Sequence, residues 1–221
     1  MPPPAALADT RTAAAAPAGG RAVSGLHLWV ILSISLCHLI NDLMQSLLSA
    51  IYPLLYVEFV LTYAQIGLMS LAFMGTASLL QPLVGLVTDR RPMPLSLPAG
   101  MASTLVGLVF LATGPSYGWL LAGATLIGIG SAIFHPEASR VARAAAGGRF
   151  GTAQSLFQLG GNAGHAIGPL LAAFIVVPFG RPAVAAFAVI ALAGMAILSI
   201  VARWHESVRQ TAARRPRALS D

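Results

Sequence analysis

The sequence has no lysine, a single cysteine and few charged residues of either sign. Charged residues make up 9% of the 221 residues, whereas soluble globular domains contain roughly 25%. Apolar residues make up 57%, and this balance excludes an ordinary soluble domain. Cys37 lies in an apolar run, which excludes a disulfide framework and a cysteine metal site. The sequence implies no cofactor and no metal.

The basic residues, all 13 of them arginine, do not form the pattern of a nucleic-acid-binding protein. Such a protein needs a clustered basic face with aromatic or polar side chains that read the nucleic acid. Here the arginines fall between apolar runs and at the ends of the chain. The positive charge therefore indicates membrane topology, and no nucleic-acid partner is expected.

Apolar runs of membrane-crossing length recur six times. A bilayer core about 30 Å thick needs about 20 apolar residues in a helix, and helices satisfy their own backbone hydrogen bonds in lipid. We therefore predict an all-α integral membrane protein: a disordered tail (1–24), a six-span domain (25–203) and a basic tail (204–221). The predicted spans are Leu26–Leu55, Ala64–Thr88, Leu95–Thr113, Trp119–Val141, Thr152–Val177 and Ala183–Ala202.

The arginines between the spans indicate an orientation in the bilayer. The segment from Gly85 to Pro92 is predicted to form a tight hairpin after the second span, and it shares its side with both chain ends. The opposite side carries Arg181 and Glu58. Because arginine-rich loops face the cytoplasm, both termini are expected there, in a bacterial inner membrane. The arginines on the richer side are Arg11, Arg21, Arg90, Arg91, Arg140, Arg143, Arg149, Arg203, Arg209, Arg214, Arg215 and Arg217.

Polar side chains inside the first span are candidates for function. His38, Asp42 and Gln45 follow at spacings of four and three residues, so they share one helix face. A buried carboxylate can hold a proton near neutral pH, and a histidine can exchange one. The pattern fits proton coupling or substrate contact, and it fits equally a bond between neighbouring helices.

The fourth span ends in Phe134-His135-Pro136-Glu137, followed by Arg140. Pro136 lacks a backbone donor and is expected to kink the helix between His135 and Glu137. Irregular backbone at membrane depth is tolerated beside a cavity, so both residues are candidates for the pathway. Glu137 and Arg140 are three residues apart and are expected to pair. A kinked helix end with a surface ion pair remains the alternative.

The fifth span is the most polar. Its polar side chains recur on one face, which suits the wall of a water-filled passage or a polar seam between helices. Four glycines predict close approach of another helix, and Pro169 predicts a bend. The third and sixth spans hold little that is polar and are expected to face lipid as support. The polar face comprises Gln154, Gln158, Asn162 and His165, and the glycines are Gly160, Gly161, Gly164 and Gly168.

These polar stretches resemble the N-terminal half of the major facilitator superfamily, and most closely its fosmidomycin-resistance branch of efflux pumps. The resemblance covers roughly residues 26–200 and implies a three-plus-three helix bundle. It is carried by His38–Ser46, Gln81–Gly85, Phe134–Glu137, Arg140–Arg143, Ala153–Gln158 and Gly160–Gly164.

The resemblance also implies roles for two short motifs. Gly85, Asp89 and Arg90 match a loop motif in which the glycine allows close helix packing and the charges lock the outward-open state. Gly164, Gly168 and Pro169 match part of a Gly-Pro motif of antiporters. The chain departs from the family patterns in two further places: prolines and a methionine (92–94) follow the loop motif, and Ala124 stands where many proton-coupled exporters have a basic residue.

The resemblance implies efflux of a fosmidomycin-like drug by proton antiport, with a small-molecule substrate, protons and the lipid bilayer as partners. Family members have two six-span halves with the substrate path between them. This chain has six spans, so we expect it to pair with itself as a homodimer or with a separately encoded C-terminal half. The alternative is a truncated or non-transporting membrane subunit.

An intramembrane protease is a further alternative of another class. Six spans and Gly128-Ile129-Gly130-Ser131 suggest it, but no histidine lies deep in the sixth span to serve as a base. His165 could be proposed instead, although its place in the span order is wrong. We therefore do not expect an enzyme.

Overall fold

The computed structural model describes residues 25–91 and 93–213, and every element in this part of the chain is a helix. Six helical stretches are long and apolar enough to cross a membrane, which confirms the predicted all-α, six-span fold. The predicted tail 1–24 lies outside the described residues. The elements are α1 (Leu28–Ala50), α2 (Tyr52–Glu58), α3 (Tyr63–Arg90), α4 (Ser96–Thr113), α5 (Tyr117–Ala145), α6 (Phe150–Leu171), a π-helical turn (Ala172–Val176), α7 (Val177–Phe179), a 3-10 turn (Arg181–Ala185) and α8 (Ala186–Ala213).

Three element boundaries differ from those expected from hydropathy. The first apolar run divides at Ile51 into α1 and α2, and a proline in the first turn of α2 favours that new start. Helix α8 continues past the expected boundary at residue 203 to Ala213, so the first part of the predicted tail is helical. Gly85, Asp89 and Arg90 belong to the last turns of α3, and the connection to α4 begins at Arg91.

Helix α1 lies at the centre of the bundle. It packs most extensively against α6 and also against α5, α8 and α4. Within its most apolar stretch 72% of residues are buried, compared with 6% for α3, which lies at the edge against α5. Half of the corresponding stretch of α4 is buried between α5 and α8. The expectation that the third span simply faces lipid is therefore wrong.

Prolines inside the spans do not end the helices. Helix α5 runs unbroken through Pro136, so the expected irregular backbone beside His135 does not occur. Helix α6 likewise continues past Pro169, and three residues later the helix changes to the π-helical turn. Single π-helical turns commonly occur within α-helices at functional sites.

Contacts at the two ends of the bundle fit the arginine pattern. At the arginine-rich end, the backbone nitrogen of His27 donates to the carbonyl oxygen of Ala145 at 3.0 Å, and the Trp204 ring meets the rings of His27 and Trp29. At the other end, Arg181 Nε donates to Glu58 Oε1 at 2.7 Å. The two charged residues expected on the arginine-poor side are thus paired with each other.

Candidate functional site

Asp42 lies at the centre of a buried polar cluster formed by α1, α5 and α6. Its carboxylate is nearly inaccessible. The oxygen Oδ1 accepts hydrogen bonds from Asn41 Nδ2 at 3.0 Å and from Gln45 Nε2 at 2.9 Å. His135 Nε2, which comes from α5, lies 3.3 Å from the same oxygen. One oxygen of Asp42 therefore joins α1 to α5.

The other oxygen of Asp42 joins α1 to α6. His38 Nε2 lies 3.1 Å from Oδ2, and His165 Nδ1 lies 3.2 Å from it. The His38 ring is buried and stacks on Phe157 with ring centroids 4.0 Å apart. The His165 side chain remains 57% exposed, so it alone of these two rings opens to the surroundings. We refer to Asp42, Asn41, Gln45, His38, His135 and His165 as the Asp42 cluster.

The hydrogen bonds of His38 determine how many protons the buried pair holds. Its Nδ1 lies 2.8 Å from the carbonyl oxygen of Phe157, and because a carbonyl only accepts, Nδ1 carries a proton. Its Nε2 faces Asp42 Oδ2, and a hydrogen bond there needs one more proton, on the imidazole or on the carboxyl group. His38 and Asp42 therefore share an exchangeable proton.

Close packing of α6 on α1 makes this arrangement possible. A side-chain carbon added at Gly161 would lie 2.5 Å from His38 Cε1 and 2.7 Å from Asp42 Oδ2. At Gly164 and Gly168 it would lie 2.3 Å from the Leu39 carbonyl oxygen and 2.0 Å from Ser46 Oγ. The expectation that these glycines admit a neighbouring helix is confirmed, and that helix is α1.

The structure brings together five of the residues expected on the pathway: His38, Asp42, Gln45, His135 and His165. The side chains on the polar face of α6 differ in their surroundings. Gln154, Gln158 and Asn162 are exposed, and of the four only His165 contacts Asp42. Glu137 lies outside the cluster, in the network described below.

Sequence reasoning missed two contributors to this cluster. The hydroxyl of Ser131 donates to Gln45 Oε1 at 3.1 Å, and its carbonyl oxygen lies 2.9 Å from His135 Nδ1. The signal for Ser131 was its place one helical turn before His135. The backbone carbonyl of Phe157 carries no signal in the sequence, because any residue could supply it.

A second polar network lies at the arginine-rich end of the bundle. Arg140 pairs with Glu137, as predicted, and its Nη2 donates to Asp89 Oδ1 at 2.6 Å. Its Nη1 donates to Thr88 Oγ1 at 3.0 Å, and Ser96 Oγ donates to Glu137 Oε2 at 3.1 Å. These five residues, the Arg140 network, join α3, α4 and α5, so the acid of the loop motif has a partner within this half of the fold.

The other two residues of the loop motif have simpler surroundings. Arg90 is exposed. At Gly85 the nearest atom to an added side-chain carbon is Pro136 Cβ at 4.0 Å, an ordinary contact distance. In the described residues, Gly85 is therefore not a point of unusually close helix packing.

An open recess adjoins the Asp42 cluster between α1, α3 and α6. Its volume is about 300 Å³. Gln45 and His165 belong to both the recess and the cluster, so a molecule in the recess would touch side chains that also touch Asp42. The remaining lining is uncharged: Ser46, Ser49, Phe73, Met74, Ala77 and Ser78.

The cluster does not have the geometry of a serine protease. Ser131 Oγ lies 3.3 Å from His135 Nδ1, but that nitrogen donates to the Ser131 carbonyl and cannot also accept the hydroxyl proton. The ligand atoms of His38, Asp42 and His135 lie within 4.8 Å of one another, close enough to share a cation or a proton. Hydrogen bonds within the protein already account for their arrangement.

Comparison with known proteins agrees with the fold. The sequence matches the Major Facilitator Superfamily over residues 34–220. It is 53% identical over 186 residues to the Fosmidomycin resistance protein of Escherichia coli (strain K12), covering 84% of this chain and 46% of that protein. It is 40% identical over 178 residues to the uncharacterized MFS-type transporter YfnC of Bacillus subtilis (strain 168), covering 80% of this chain and 44% of that protein.

Among solved structures, that of tetrameric PepTSo2 is similar with a TM-score of 0.66 and 15% identity, over 82% of this chain and 41% of that chain. At this identity the likeness shows the fold alone. The chain spans slightly less than half the length of the curated relatives that it matches. The family match covers most of the chain, and the protein therefore belongs to the Major Facilitator Superfamily, a family of membrane transporters and not of enzymes.

Proposed function

We propose that the protein exports a small drug of the fosmidomycin kind from the bacterial cytoplasm in exchange for protons. The drug class is supported by the identity to the Fosmidomycin resistance protein. Proton exchange is supported chiefly by one observation, the geometry of the buried His38–Asp42 pair, whose hydrogen bond needs a shared proton. The pair lies beside the open recess, so substrate and proton sites adjoin.

The proposal places the export path along the exposed side of α6. Gln158 and Asn162 present amide groups there, and His165 links that surface to Asp42. A polar helix face is costly in lipid, so we propose that a second six-span unit covers it, either a second copy or a separate C-terminal half. The Arg140 network would then control closure at the end that we assign to the cytoplasm.

A second candidate function is a membrane subunit that does not transport. The same exposed face of α6 favours it, because polar side chains on a helix face also bind neighbouring helices without lining a passage. The two candidates differ in what a second six-span unit does. It restores export under the first proposal and restores nothing under the second.

A tolerance assay in an efflux-deficient bacterial strain separates these candidates. The chain is expressed alone and with the C-terminal six-span half of the Escherichia coli relative, and fosmidomycin tolerance is measured. We expect tolerance from at least one combination, and its loss in the Asp42→Asn variant, because an amide cannot take up the shared proton. The Glu206→Gln variant, outside both polar networks, is the matched control.

Inverted vesicles from the same strains test the coupling directly. Drug uptake should follow an imposed pH gradient and stop when a protonophore collapses it. Failure of every combination to move drug would rule out the transport proposal, and wild-type uptake by Asp42→Asn would remove Asp42 from the proton role.

A further inference from the structure

We infer that Ser131 is a positioning residue for the proposed proton exchange: it reserves Oδ1 of Asp42 as an acceptor, so that the exchanged proton occupies Oδ2 and travels through His165. The inference rests on the proposed function. It adds a residue that the motifs do not contain, and it assigns different tasks to the two oxygens of one carboxylate.

Ser131 forms hydrogen bonds with two side chains, Gln45 and His135, that both face Oδ1. Its hydroxyl donates to Gln45 Oε1 at 3.1 Å, and its carbonyl oxygen accepts from His135 Nδ1 at 2.9 Å. Gln45 Nε2 and His135 Nε2 then lie 2.9 and 3.3 Å from Oδ1. Ser131 is itself buried.

The hydroxyl of Ser131 matters because an amide can face a carboxylate in two ways. A primary amide donates through nitrogen and accepts through oxygen. With Ser131 donating to its oxygen, Gln45 must present its nitrogen to Asp42. Asn41 also presents its nitrogen to Oδ1, at 3.0 Å. Two amide donors therefore lie nearer to Oδ1 than His135 Nε2 does, at 3.3 Å, and Ser131 fixes the orientation of the Gln45 amide. A carboxyl proton on Oδ1 would have to displace these donors.

Oδ2 has surroundings that suit proton exchange. Its neighbours, His38 and His165, can each accept or donate, and of the two only the His165 side chain is substantially exposed, at 57% against 3%. In the transfer, His165 takes a proton from water at Nε2 and becomes an imidazolium. Its Nδ1–H bond then breaks as an O–H bond forms at Oδ2, which leaves a neutral imidazole.

Other titratable groups do not offer Oδ2 a competing route within the described residues. The ones in contact with Asp42 are His38 on α1, His135 on α5 and His165 on α6. Helix α4 contains no ionisable residue, and those of α8 begin at Arg203, next to the Trp204 contact at the arginine-rich end. Glu137 on α5 is paired with Arg140.

Infrared titration of the detergent-purified chain tests the role of Ser131. The band of the protonated Asp42 carboxyl is assigned by its loss in Asp42→Asn, and its pH midpoint is then measured in variants. Ser131→Ala and Gln45→Leu should shift that midpoint in the same direction, by about one pH unit, because both weaken the same donor to a charged group. Ser131→Thr keeps the hydroxyl and should titrate like the wild type.

Two outcomes of that titration would overturn the role of Ser131. In one, Ser131→Ala titrates like the wild type although Gln45→Leu shifts. In the other, Ser131→Thr shifts as far as Ser131→Ala. Circular dichroism confirms that each variant retains its helices.

The rate of proton uptake after a pH jump tests the route through Oδ2. His165→Asn should slow uptake by about a hundredfold, the usual contribution of a positioned acid–base group. His135→Asn, which alters the Oδ1 side, should slow it less, and His205→Gln on α8 is the matched control. Equal or greater slowing in His135→Asn would overturn the route. Neither experiment requires transport, so absence of drug transport would overturn the proposed function without affecting these results.

Discussion

Gly161 illustrates how a residue without a side chain shapes the proposed proton site. It faces the point at which His38 and Asp42 meet, and a methyl group there would overlap both side chains. The His38 ring cannot retreat, because it is stacked on Phe157 and bonded to that residue's carbonyl oxygen. The hydrogen-bonded His38 and Asp42 side chains therefore occupy the space that a side chain at Gly161 would need.

The Gly161→Ala variant should be less stable by about 1–3 kcal/mol, the usual cost of an extra carbon in a well-packed interior. Gly151→Ala, in the same helix, is the matched control, since nothing lies within 4 Å of its added carbon. The midpoint of thermal unfolding in detergent measures both. An unchanged midpoint for Gly161→Ala would show that α6 can move away from α1 freely.

Some residues of this site could be predicted from the sequence, and others could not. The spacing of His38, Asp42 and Gln45 placed them on one face because helical periodicity is local. That His135 and His165 meet Asp42 depends on how α5 and α6 pack against α1, which spacing does not contain. Ser131 looked like a possible nucleophile until the structure showed that its hydroxyl and carbonyl already have partners.

At the level of elements, Arg140 ties three helices together at one end of the bundle. Its guanidinium contacts Glu137 on its own helix and Asp89 on α3, while Glu137 also accepts from Ser96 on α4. Arginine suits this position because its planar fork of donors can serve several acceptors at once. Glu137 is mostly buried, so it depends on that cation.

Removal of the cation should therefore cost more than removal of the whole pair. We expect Arg140→Gln to lower the free energy of unfolding by about 1.5–3 kcal/mol, as for hydrogen bonds to charged groups. The double variant Arg140→Gln with Glu137→Gln should recover part of that loss, because no charge is left buried without a partner. Equilibrium unfolding in mixed micelles measures this cycle. Strict additivity of the two single variants would contradict it.

Hydropathy predicted the existence of the spans better than their ends. It measures how apolar a run is, so it could not detect the division at Ile51, where the residues on both sides are apolar. It also placed the last boundary near residue 203, where charged residues begin. Helix α8 continues there because an exposed helix tolerates charged residues, and the Trp204 ring fixes it against His27 and Trp29.

For the whole molecule, the distribution of charge agrees with the positions of the helix ends. The start of α1 near His27 and the end of α5 meet at one end of the bundle, and the Glu58–Arg181 pair occupies the other. On the positive-inside rule we propose that the first of these ends faces the cytoplasm. This assignment determines the direction of the proposed transport, so it merits its own test.

Single cysteines at the two ends should be labelled from opposite sides of the membrane. An impermeant maleimide added to intact cells should react with Ser116→Cys, in the exposed connection between α4 and α5, and not with Arg91→Cys, which follows α3. Permeabilised cells should label both. The parent chain is the control, because its own Cys37 is buried. The reverse pattern in intact cells would invert the proposed orientation.

Helix α5 connects the two polar networks. It is one unbroken helix that carries Ser131 and His135 of the Asp42 cluster and, two and five residues beyond His135, Glu137 and Arg140 of the Arg140 network. The first half of α5 packs closely against α4 where Gly123 meets Gly107, and we propose this contact as a pivot for the helix. A tilt about that contact would shift both networks together, so a change in the charge of Asp42 and an opening at the arginine-rich end would be two results of one movement.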